Sequence, residues 1–183
     1  MLLRADDLAA TGAIAAGLAR LVRPGDIVVL AGEMGAGKTT FAQAFGAALG
    51  VTEPITSPTF TLVHSYLVPG RRMTLHHADL YRLDRTSELE DLALDELAEF
   101  DGVVLVEWGD VAAGGLGDHL SVRLARDDDG EVDADDGAGD EEAAEPADEF
   151  GLDEARTIEI EAVGREWAGR WDRIVRAVEA FRC

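Results

Sequence analysis

Eight consecutive residues, Gly32-Glu33-Met34-Gly35-Ala36-Gly37-Lys38-Thr39, combine three glycines with a lysine and a hydroxyl. Glycine lets a backbone wrap tightly around an anion with its N–H groups turned inward. A lysine at the end of such a turn can reach the β- and γ-phosphates of a nucleotide. The threonine after it can ligate Mg²⁺. The spacing is that of a phosphate-binding P-loop, and it points to a nucleoside triphosphate. Met34, Gly35, Ala36, Gly37, Lys38, Thr39 and Thr40 are therefore the candidate nucleotide contacts.

Context supports the loop. Before it, Asp26 to Ala31 is a short, mostly β-branched apolar run, as expected of a buried parallel strand. After it, Phe41, Ala44, Phe45, Ala48 and Leu49 recur at helical spacing, and Gly50 supplies a stop. Strand, turn and helix come in the required order, and the helix N-terminus adds a positive dipole end for phosphate.

Hydrolysis or transfer also needs an acid that positions a metal and a group that orients the attacking atom. Val103 to Val106 is wholly apolar and runs into Glu107, so this carboxylate would sit at a strand end, where it could ligate Mg²⁺. Asp79 ends another strand and could hold the attacking water; turn capping is the alternative role. Ser57-Pro58-Thr59 lies in a loop after the P-loop helix, where a hydroxyl could reach Mg²⁺ or phosphate. His76 and His77 are neighbours on one strand and point to opposite faces, which argues against a paired metal site. His64 and His119 have no ligand spacing.

Around these groups the chain predicts an α/β fold: a mainly parallel sheet with helices on both sides and an antiparallel hairpin. The N-terminal segment reads as an amphipathic helix reaching about Val22, with Asp6 or Asp7 as its cap. Phe60–Leu67 and Met73–Ala78 form the hairpin, and Thr86–Phe100 a helix capped by Ser87 with Glu90 three residues on. His119–Ala125 and Thr157–Ala162 are late strands. A final helix spans Arg165–Phe181, with Trp167, Trp171, Ile174, Val178 and Phe181 as a packing stripe.

The 183 residues, 47% of them hydrophobic, suit a single globular domain. The net charge of −21 is local: fifteen of the 37 acids, and no base, fall in 127–154. Without them 22 acids face 16 bases, a net of −6, so there is no basic footprint for autonomous nucleic-acid binding. The acidic stretch reads as a disordered insertion. No apolar run approaches the roughly 20 residues that span a bilayer. No signal peptide is visible, and the one cysteine, Cys183, excludes an internal disulfide framework and fits a reducing cytoplasm.

Four blocks stand in order: the P-loop, Ser57-Pro58-Thr59-Phe60-Thr61-Leu62-Val63, His77-Ala78-Asp79-Leu80-Tyr81-Arg82-Leu83, and Val104-Leu105-Val106-Glu107-Trp108. Together they resemble the TsaE (YjeE-like) family of bacterial P-loop ATPases, over about residues 8–126 and again after 155. The resemblance implies an ATPase acting in synthesis of threonylcarbamoyl-modified adenosine 37 in ANN-decoding tRNAs. Its partner would be a TsaB–TsaD heterodimer whose turnover it sustains, with tRNA met through that complex and no membrane involved. It implies that Lys38 contacts phosphate, that Thr39 and Glu107 hold Mg²⁺, and that Asp79 is the catalytic carboxylate. Thr59 resembles the family's switch segment and Trp108 a site-wall aromatic. Gly109-Asp110 departs from the family, where proline is common, and the acidic stretch looks like an insertion. A small-molecule kinase and a nucleotide-gated binding module with little turnover are the rivals. The kinase lacks an evident arginine-rich lid, and no N-K-x-D motif supports a GTPase. Deletion of 128–150 is expected to leave partner binding and ATPase activity unchanged; a loss of complex formation would instead assign the charge a docking role.

Overall fold

A computed structural model describes residues 1–58, 62–81, 92–108, 116–127 and 155–183. Its frame is a seven-stranded sheet of order β1-β7-β6-β2-β5-β4-β3. The strands are β1 (Leu2–Ala5), β2 (Ile27–Ala31), β3 (Val63–Leu67), β4 (Thr74–Asp79), β5 (Gly102–Glu107), β6 (His119–Arg126) and β7 (Arg156–Val163). The four central strands, β6, β2, β5 and β4, are mutually parallel. The expected hairpin of β3 and β4 closes one margin, and β7 and β1 close the other, all antiparallel.

The apolar runs occupy the centre because both faces are covered. Every residue of β2 and of β5 is buried. On one face Val28, Leu30, Val103 and Leu105 join a core with Phe41 and Phe45 of α2 (Lys38–Leu49), Ile14 and Leu18 of α1 (Leu8–Ala19), and the C-terminal Ile174. On the other face Ile27, Val29, Val104 and Val106 pack with Leu94 and Ala98 of α3 (Leu94–Glu99). Each buried aliphatic side chain contributes about 1.5–3 kcal/mol. No helix among the described residues is long and apolar enough to cross a membrane.

Five expectations are corrected. Residues 2–5 are a strand, not the start of a helix: Leu3 and Ala5 are buried alternately, and β1 zips onto β7, with the Met1 amino group donating to the Ile160 carbonyl at 2.8 Å. Helix α1 begins at Leu8 behind the expected cap Asp7, which accepts from Ala10 N–H at 2.7 Å, but it ends at Ala19 rather than at about Val22. The first hairpin strand starts at Val63, after Leu62 in a left-handed conformation. In the expected helix 86–100, Ala93 is left-handed (φ 46°) and the helical turn runs from Leu94 to Glu99; Ser87 and Glu90 lie outside the described residues, as does 128–154.

The last correction concerns the C-terminal helix. It is broken into α4 (Arg165–Ala168), α5 (Trp171–Val178) and a 3₁₀ turn, Glu179–Phe181. The break falls at Gly169-Arg170, where glycine weakens a helix. Arg170 turns inward, with its guanidinium 2.5 and 2.8 Å from the two carboxylate oxygens of Asp26 and 4.0 Å above the Trp167 ring. Asp26 in turn accepts from Arg23 N–H at 2.7 Å, fixing the turn into β2. Trp167, Ile174 and Val178 of the predicted stripe are buried, while Trp171 and Phe181 are partly so.

Both partners of the Asp26–Arg170 pair are only 9% exposed. Removing one leaves a buried, uncompensated charge. Arg170→Ala is expected to lower stability by about 3–5 kcal/mol in urea unfolding; a change within experimental error would show that the pair does not hold the C-terminal helix to the β2 entry turn.

Candidate nucleotide site

Parallel pairing brings the carboxyl ends of the central strands to one edge, the place where open α/β sheets build ligand sites. Leu30 of β2 and Asp79 of β4 both pair with Glu107 of β5. The glycine loop leaves β2 at this edge and delivers Lys38 as the first residue of α2, behind Gly37 in a left-handed conformation (φ 99°).

Glu107 lies at the centre and is 2% exposed. One carboxylate oxygen accepts from the Thr39 hydroxyl at 3.0 Å, and the other lies 2.8 Å from Nε2 of His77. The loop threonine and the strand-end carboxylate are thus in contact. Asp79, beside Glu107, is buried; its Oδ2 accepts from the Ser57 hydroxyl and its Oδ1 from Tyr81 N–H at 3.0 Å. This second bond gives Asp79 a turn-capping role as well as a place at the site.

Lys38 is buried, and its ammonium donates to the carbonyls of Gly32 and Glu33, each at 2.8 Å. It also lies 3.6 Å from the ring centre of Trp108. Trp108 adopts a left-handed conformation (φ 62°), and its ring meets Tyr81 with centroids 4.9 Å apart. A cation held over an indole face is stabilised by the ring quadrupole. Met34 is exposed at the loop tip and Thr40 is half-buried on the first turn of α2. Thr59, the expected switch residue, and Gly109-Asp110 lie outside the described residues.

The loop is anchored from β6 and β7. Arg126 donates to the Gly35 carbonyl at 3.0 and 3.3 Å, and the buried Arg156 donates to the Ala36 carbonyl at 3.2 Å. A cavity of about 470 Å³ opens between loop and β6, lined by Gly32, Glu33, Met34, Trp108, Arg123 and Arg126 among others. Sequence reasoning weighed His77 only as half of a paired metal site and did not single out Arg126 or Arg156. The signal for His77 was a polar residue two positions before Asp79, hence on the same sheet face. For the arginines it was their position immediately flanking the acid-only stretch.

The donor set suits a divalent cation. Thr39 and Glu107 offer hard oxygen ligands in contact with each other, and no lysine or arginine pairs with Glu107 among the described residues. No cluster of three or more His, Cys, Asp or Glu forms a protein-only metal cage among the described residues. One carboxylate, one hydroxyl and the phosphates of a ligand are what Mg²⁺ usually takes. The residues fit. Elsewhere, burial lowers the pKa of His76, which faces away from the site toward Ser65 at 2.8 Å.

Fold and loop together define a protein of the P-loop NTPase fold class. The solved structure of Bacillus subtilis YdiB superposes with a TM-score of 0.68 at 29% identity, covering 96% of this chain and 94% of that one. The family model described as threonylcarbamoyl adenosine biosynthesis protein TsaE matches residues 5–133, and the chain belongs to that family. The TsaE protein of Bacillus subtilis is 40% identical over 125 residues, 67% of this chain and 77% of the relative. That of Streptomyces coelicolor is 37% identical over 153 residues, 82% and 89% of the two chains.

The loop's path depends on Gly32 (φ 134°), where an added Cβ would stand 2.2 Å from the Leu124 carbonyl oxygen of β6. Gly32→Ala is expected to cost on the order of 1–3 kcal/mol in thermal or urea unfolding. It should also weaken nucleotide binding by displacing the loop; unchanged stability would refute the close approach to β6.

Proposed function

We propose that this chain is the Mg²⁺-dependent ATP-hydrolysing component of the tRNA threonylcarbamoyladenosine system, sustaining turnover of a TsaB–TsaD pair. Family membership supports the pathway. The observation that carries the chemistry is the contact of the loop's Thr39 with the buried Glu107, with Asp79 on the adjoining strand.

In this reading the loop binds the triphosphate and Lys38 exchanges its two carbonyl partners for phosphate oxygens. Trp108 and Tyr81 wall the space over Lys38 and keep its ammonium in place. Thr39 and Glu107 would hold Mg²⁺, which when bound neutralises phosphate charge. Asp79, fixed by Ser57 and Tyr81, orients the attacking water. Lys38, the loop N–H groups and the α2 N-terminus oppose the negative charge as it shifts toward the leaving oxygen. Slow hydrolysis by the isolated chain is the expected outcome, because the Lys38 ammonium must first leave the Gly32 and Glu33 carbonyls.

Free phosphate release from ATP and Mg²⁺ tests this, measured with and without TsaB–TsaD. A clear stimulation by the pair is expected, with Asp79→Asn lowering kcat about 10²–10⁴-fold. Equal rates with and without the pair, or a phosphorylated acceptor in place of free phosphate, would overturn it.

A further inference from the structure

We infer that His77 is a positioning residue for Mg²⁺-linked nucleotide binding: its Nε2–H holds one oxygen of Glu107, so that the other faces Thr39 and the cation. The inference rests on the metal-binding reading of Thr39 and Glu107. It assigns the carboxylate's geometry to a histidine outside the phosphate loop.

His77 is fully buried on β4, two residues before Asp79 and on the same sheet face, the one that packs against α2. Across the parallel pair its register partner is Leu105, so its ring points diagonally at Glu107. A carboxylate only accepts, so at 2.8 Å the ring Nε2 is the donor. The second ring nitrogen, Nδ1, is buried without a hydrogen-bond partner among the described residues. A buried polar atom without a partner is unfavourable. A leucine at this position would avoid that cost. Packing alone therefore does not call for histidine here, whereas orientation of Glu107 does.

Glu107 has two oxygens and two donors, one for each, Thr39 on one and His77 on the other. The Thr39 bond must be given up if that hydroxyl turns a lone pair to a cation. His77 is then the protein donor that remains on the carboxylate. Partners of this kind orient metal ligands, and their loss typically costs about 10–100-fold in metal affinity.

The test is nucleotide affinity of the full chain by calorimetry, with Mg²⁺ and with EDTA, for wild type, His77→Leu, His77→Gln and Glu107→Ala. His77→Leu removes the donor and keeps an apolar filling. It should abolish most of the Mg²⁺ enhancement of affinity, about tenfold or more, while the EDTA value stays unchanged. His77→Gln, whose amide nitrogen can stand at the Nε2 position, should restore much of the enhancement. If His77→Leu does not fold, His77→Asn replaces it, since its shorter amide cannot reach Glu107 in the same way; it should lose the enhancement that Gln keeps. Full enhancement in the Leu or Asn variant, with its loss in Glu107→Ala, overturns the role of His77 alone. Full enhancement in Glu107→Ala overturns the metal reading and this inference with it.

Discussion

The carboxylate of Glu107, buried between the Thr39 hydroxyl and the His77 ring, joins the phosphate loop to the sheet. It takes a strand end, a helix start and a neighbouring strand to build that junction. Parallel pairing of β2, β5 and β4 places all three at one edge. Burying a carboxylate is costly unless hydrogen bonds or charge compensate it. Here two donors, the Thr39 hydroxyl and the His77 ring, supply part of that compensation. The arrangement suits a site that gains a cation together with its ligand.

The loop itself is held by positive groups on its carbonyls. Lys38 takes those of Gly32 and Glu33, Arg126 that of Gly35, and Arg156 that of Ala36. The two arginines come from β6 and β7, the antiparallel pair that brackets the acidic stretch. The far side of the sheet therefore does more than close the core: it fixes the path of the loop, and Gly32 allows the close approach to β6 that this needs. The Asp26–Arg170 pair acts at the opposite end of β2, tying the C-terminal helix to the turn that starts the strand.

Much of this was legible in the amino-acid order. Strands β2 and β5 are continuous apolar runs and α2 has helical spacing closed by glycine, so local pattern alone located the P-loop and the Glu107 strand end. What pattern could not supply was non-local. Strand β1 exists because β7, more than 150 residues away, offers it an edge. The last helix breaks because Arg170 reaches Asp26. The alternation of β4 correctly set His76 and His77 on opposite faces, but only the register with β5 shows that His77 meets Glu107. A strand-end position offered Asp79 and the family motifs added Trp108, whereas the Ser57 bond to Asp79 and the seat of the Lys38 ammonium over Trp108 emerged from the fold.

The most direct measurement is anomalous diffraction from crystals grown with Mn²⁺ and a non-hydrolysable ATP analogue. The account predicts a single strong anomalous peak beside the nucleotide phosphates, within ligand or one-water distance of both Thr39 Oγ1 and the Glu107 carboxylate. A peak elsewhere, or a Glu107 turned away from a metal that Thr39 still holds, would contradict it.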